Sequence, residues 1–71
     1  MDLSTQVVPY SGEIRELSGE PLLVERLREL GFIRGETVRL RGRAPFGEPL
    51  IVEIRGTSIA LRLREARCIQ L

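Results

Sequence analysis

Residues 49–63 read Pro-Leu-Ile-Val-Glu-Ile-Arg-Gly-Thr-Ser-Ile-Ala-Leu-Arg-Leu, PLIVEIRGTSIALRL. Two apolar–polar alternations of period two flank a glycine, which is the pattern of a β-hairpin with one face buried. Leu50, Val52 and Ile54 take the inner face of the first strand, and Ile51, Glu53 and Arg55 the outer face. The tight turn is expected at Gly56-Thr57. The return strand then points Ile59, Leu61 and Leu63 inward and Ala60 and Arg62 outward. A hairpin alone is marginal in water, so the rest of the chain has to cover its apolar face.

Downstream, a short turn at Arg64–Ala66 leads to a final strand, RCIQL, burying Ile69 and Leu71. Upstream, Val38 and Leu40 alternate with Arg39 and Arg41 in another strand. Between Pro21 and Leu30 the period changes. Leu23, Leu27 and Leu30, with Val24 beside them, form one face of an amphipathic helix, and Glu25, Arg26, Arg28 and Glu29 take the other. Pro21 suits the first turn. Gly31 is a stop signal, and a left-handed residue there lets Phe32 fold back over Leu27. Arg34-Gly35 suits the centre of a type II turn. The first strand is read as GEIREL, Gly12–Leu17, with Ile14 inward, after an irregular arm, residues 1–11, whose Val7 and Val8 cover part of the core.

The expected fold is mainly β: a single domain over residues 1–71, built as a small SH3-like barrel of five strands with one short α-helix between strands 1 and 2. Strands this short bury enough only if the sheet curls, which also protects its edges.

Composition narrows the chemistry. The 71 residues include no His and one Cys, so no internal disulfide forms, and a reducing cytoplasm fits. Any metal would have to come from scattered carboxylates or contacts between chains; no cofactor, metal or catalytic residue is assigned. Cys68, in the last strand, reads as a small buried hydrophobe. The four serines have no base to activate them. No P-loop or dinucleotide fingerprint is present. The expectation is a protein that is not an enzyme. No apolar run reaches membrane-spanning length. Net charge is +1, with seven Arg against three Glu in residues 39–71 and four Arg against seven acids before them.

Residues 43–49, RAPFGEP, stand apart as a loop of two prolines and a glycine around a bare phenylalanine. Phe46 either folds onto the barrel mouth or stands with Pro45 as an apolar knob for a partner, flanked by Arg43 and Glu48. Leu22 lies off the core stripe of the helix; it either covers the N-terminal arm or meets a partner. The outward Arg39, Arg41, Arg55 and Arg62 form a basic sheet face if they are not paired with Glu53 and its neighbours.

LRELGF-x-x-G (27–35), RAPFGEP (43–49), EIRG (53–56), IALR (59–62) and the following Glu65-Ala66 occur in an order that resembles the FeoA family, from about Gly12 to Leu71. The resemblance implies a small cytoplasmic SH3-like domain that works with FeoB, a membrane ferrous-iron transporter carrying a GTP-binding domain. It implies a non-catalytic accessory role in ferrous iron uptake and iron homeostasis, with recruitment to the inner face of the membrane by that partner. Leu22, Arg34, Arg43, Pro45, Phe46 and Glu48 are the expected partner-binding residues, and Arg34 or Arg43 is a candidate finger toward the partner's GTP. Two positions depart from the family pattern: Arg34 stands where proline is frequent, and Thr57 where an aromatic is frequent. A homo-oligomer is a further expected assembly. The competing readings are a nucleic-acid-binding SH3-like barrel, disfavoured by a sheet face without stacking aromatics, and a detached module of a DtxR-type, metal-dependent transcription regulator.

Overall fold

A computed structural model describes all 71 residues. The hairpin is present as β4 (Leu50–Ile54) and β5 (Thr57–Leu61), paired antiparallel from Leu50↔Leu61 to Ile54↔Thr57. Its turn lies one residue earlier than expected, with Arg55 and Gly56 at its centre at φ +51° and +81°. Two positive φ values match the right-handed twist of the flanking strands, which is why the turn shifts to include Arg55.

β3 (Thr37–Arg43) pairs with β4 on one side and with β1 (Tyr10–Glu13) on the other, giving a four-stranded sheet of order β1-β3-β4-β5. The strand expected over Gly12–Leu17 is in fact two. It starts at Tyr10, breaks after Glu13 and resumes as β2 (Glu16–Leu17), which pairs with β6 (Ile69–Gln70) in a second sheet. Ile14 is the corner. Its N–H donates to Glu36 O at 2.9 Å and its carbonyl accepts from Gly35 at 2.8 Å, whereas the next amide, Arg15, donates to Gln70 O at 2.8 Å. The backbone thus passes from one sheet to the other with its hydrogen bonds satisfied. Six strands in two sheets replace the expected five, and they surround one core without closing into a continuous barrel.

Helix α1 (Pro21–Glu29) ends as its sequence requires. Gly31 sits at φ +108°. Its N–H donates to Arg28 O and that of Phe32 to Leu27 O, both at 3.0 Å. That is the Schellman pair of bonds, and it delivers a fully buried Phe32 beside Leu27. Leu30, expected on the inner stripe, is instead 42% exposed because it is the C-cap, where the chain already leaves the helix axis. The Arg34-Gly35 turn is closed by Glu36 N–H to Ile33 O at 3.1 Å. No backbone bond uses the Arg34 N–H. Arg34→Pro is therefore expected to stabilise the domain by about 0.4–1 kcal/mol through the unfolded chain. A thermal melt checks this as a rise of about 2–8 °C.

The N-terminal arm contributes differently from the expectation. Val7 is 80% exposed and Val8 is only partly covered, whereas Leu3 is fully buried in the core. Asp2 makes this possible by accepting from the Ser4 amide at 2.9 Å, which starts a 3₁₀ turn over Leu3–Thr5. That turn packs against a second helix, α2 (Leu63–Ala66), where only a turn was expected. Four residues cannot nucleate a helix alone. Here Glu65 Oε1 accepts from the Arg62 N–H and Glu48 Oε1 from the Leu63 N–H, both at 2.8 Å, satisfying amides at its start. Leu63 is drawn into this turn and, like Leu71, is only half-buried. The Leu71 N–H donates to Met1 O at 3.0 Å, so the two ends of the chain lie side by side.

Candidate partner-docking loop

The loop 44–49 is shaped from both ends. A register shift between Leu40 and Gly42 leaves Arg41 unpaired as a bulge in β3. One extra residue inverts the facing of everything after it. Arg43 therefore pairs with the inward Leu50 and turns to the core side. Its guanidinium donates from Nη1 to Gly47 O at 2.9 Å and from Nη2 to Ser4 O and Gln6 O at 3.0 and 3.1 Å. One planar fork thus ties the loop to the N-terminal arm, a geometry that suits Arg and not Lys.

Within the loop, Ala44 N–H donates to Pro49 O at 3.1 Å and Gly47 N–H to Ala44 O at 2.8 Å. The second bond closes a β-turn with Pro45 and Phe46 at its two central positions, where proline presets the first. Phe46 is 96% exposed. The alternative in which its ring covers the core is thus corrected: the ring stands clear of the body, because the turn beneath it is held by main-chain bonds and by Arg43. Glu48 turns the other way, onto the start of α2.

The residues expected to meet a partner therefore do not form one surface. Arg43, Pro45, Phe46 and Glu48 share the loop, and the polar pair among them is engaged within the molecule. Leu22 stands 74% exposed on the first turn of α1, so it does not cover the arm. Arg34 lines a separate recess with Glu13, Arg15 and Glu16. The outward arginines of the sheet are largely paired: Arg41 and Arg39 reach Glu53 at 3.3 and 4.0 Å, and Arg55 reaches Glu36 at 3.8 Å.

Sequence reasoning missed a recess of about 500 Å³ beside the loop, lined by Glu48, Arg62, Leu63, Arg64 and Arg67. The crowding of three arginines into residues 62–67 was the available signal. Cys68 is buried, with Sγ 3.5 Å from Arg64 O. Burial pushes its thiol up, and the charges of Glu20, Glu65 and Asp2 push the same way, so the thiolate is scarce at neutral pH. No group of three or more His, Cys, Asp or Glu side chains is gathered in a metal-binding arrangement.

The FeoA domain model matches residues 1–71. No curated protein gives a significant match. Among solved structures, the Stenotrophomonas maltophilia FeoA complexed with zinc, described as a procaryotic SH3 domain protein, is 36% identical. It superposes with a TM-score of 0.86 over 99% of this chain and 87% of its own. The Chlorobium tepidum FeoA protein is 31% identical, with a TM-score of 0.88 over 99% of this chain and 67% of its own. A manganese-dependent transcriptional repressor complexed with manganese reaches a TM-score of 0.87 over 97% of this chain and 34% of its own. At 20% identity that likeness is one of fold alone. With the domain match spanning every residue and the SH3-like architecture shared with FeoA structures, the chain belongs to the FeoA family, whose role is in ferrous iron transport.

Proposed function

We propose that this protein is a non-catalytic accessory factor of ferrous iron uptake, docking on the cytoplasmic GTP-binding region of a FeoB-type transporter through the Pro45-Phe46 knob. The supporting observation is the exposure of Phe46 at 96% on a loop held by four hydrogen bonds: two between its own backbone groups, one from Arg43 to Gly47 and one from the Leu63 amide to Glu48. A large apolar side chain offered to solvent on a pre-shaped loop loses little entropy on binding, which is what an interface anchor needs. No helix is long and apolar enough to cross a membrane; the partner supplies membrane attachment. The S. maltophilia relative has been put forward as a ferrous iron transport activating factor, which agrees with an accessory role.

The test is Phe46→Ala against the purified cytoplasmic region of the transporter. Removing an interface anchor is expected to weaken binding by at least about tenfold. Because the ring touches little within the molecule, the urea midpoint should shift by no more than about 0.5 kcal/mol equivalent. Unchanged affinity in the variant would reject Phe46 as the anchor.

A further inference from the structure

All eleven positive side chains are arginines, and the fold divides them unevenly. Arg26, Arg39, Arg41 and Arg55 each have a glutamate oxygen within 4.0 Å. Arg43 is committed to three carbonyls. Arg62, Arg64 and Arg67 have no acidic partner, yet they line one recess with a single carboxylate, Glu48. That carboxylate faces the Leu63 amide at 2.8 Å. Helix α2 makes the grouping, since Arg64 and Arg67 are three residues apart on a helical turn and share a side of it. The other unpaired arginines are dispersed, and Arg15 and Arg34 share their recess with Glu13 and Glu16.

Phe46 is not among the residues that line the recess, but it is two residues from Glu48, a chain span of at most about 7 Å, so a partner segment longer than that can reach both. We infer that this recess docks an acidic segment of a protein partner, whose carboxylates meet Arg62, Arg64 and Arg67 while a neighbouring apolar residue meets the Phe46 ring. This rests on the docking function above and names its partner chemistry. A compact anion gains less from the site, because the Leu63 amide is already occupied by Glu48 and only separate, exposed guanidiniums remain. An extended acidic segment can satisfy the three in turn, and Arg matches carboxylates with two parallel hydrogen bonds.

The experiment is an NMR titration of the full ¹⁵N-labelled chain with a synthetic leucine–tetraglutamate peptide. Parallel titrations use inorganic phosphate and phosphatidylserine vesicles. Shifts are expected at residues 46–48 and 62–67, with affinity falling as salt is raised. The Arg62→Gln, Arg64→Gln, Arg67→Gln triple variant should bind the peptide at least about tenfold more weakly. Arg39→Gln, Arg41→Gln, Arg55→Gln removes the same charge elsewhere and should leave affinity within about twofold. Equal weakening by both variants, or the same shifts with phosphate or vesicles alone at equal strength, would overturn the inference. So would a triple variant that retains its urea midpoint and binds the transporter's cytoplasmic region as the parent does. If instead the parent chain ignores that region but binds the peptide at the recess, the inference stands and the transporter-docking reading fails.

Discussion

Phe32→Ala is expected to remove about 3–5 kcal/mol of folding stability, the usual loss when a fully buried phenylalanine is truncated. A 71-residue domain holds only about 4–10 kcal/mol in total, so the loss is a large fraction of the whole. Phe32 is buried without residue at the junction of α1 and the strands. The backbone bonds that place it, Phe32 N–H to Leu27 O and Gly31 N–H to Arg28 O, survive the substitution. The loss is therefore one of packing, not of helix termination. Urea denaturation measures it as a fall in midpoint, and Phe32→Leu, which keeps much of the volume, should recover all but about 1.5 kcal/mol. Phe46→Ala is the matched control, since it deletes the same atoms from the chain's other phenylalanine, at 96% exposure. If the two variants lost similar stability, burial would not be the determining variable.

Arg43→Ala is expected to cost about 2–3 kcal/mol, since hydrogen bonds from a charged donor are each worth about 1.5–3 kcal/mol and this group is only half-buried. The effect should be local as well as global. Two of its three bonds run to Ser4 and Gln6, 39 and 37 residues away in sequence. Without them the arm is held by Leu3 and by the bonds near the chain ends. Hydrogen exchange at residues 3–6 and at Ala44 and Gly47 should accelerate before that of β3–β4. Arg43→Lys should restore less than half of the loss, because a single ammonium on a flexible stem cannot span the loop and the arm together. Unchanged protection of the arm in Arg43→Ala would show that the fork does not hold it.

How much of this was legible depends on distance along the chain. The alternation in residues 49–63 and the helix ending at Gly31 are local patterns, and both are present, with the helix running Pro21–Glu29 against an expected Pro21–Leu30. The elements that escaped are those decided by distant partners. Leu3 is a lone hydrophobe among polar residues, and nothing near it in sequence marks it for the core, whereas the adjacent Val7 and Val8 looked better and are not used. Helix α2 exists because Glu48, fifteen residues away, occupies one of its first amides. The break at Ile14 follows from having Glu36 on one side and Gln70 on the other.

The Pro45-Phe46 loop shows the same division. Its turn residues announced a loop, and Pro45 and Phe46 do lie at its tip. That Arg43 would be consumed internally depended on the bulge at Arg41, which reverses the facing of the strand residues after it and which no alternation count can reveal. The basic recess was half-visible, as charge without an address. Of the four outward arginines read on the sheet, Arg39, Arg41 and Arg55 have glutamate neighbours, as a solvated strand does, whereas Arg62 and the turn-borne Arg64 and Arg67 do not.

The bond from Leu71 to Met1 and the bridge between Asp2 and Gln70 place the first and last residues next to each other. A short linker could weld them into a ring without moving any strand, and fresh termini could then be cut between Pro45 and Gly47, at an exposed tip of the kind where circular permutation succeeds. Such a rewired molecule would keep its core while splitting the knob in two, separating what the polypeptide needs in order to fold from what it offers to its surroundings.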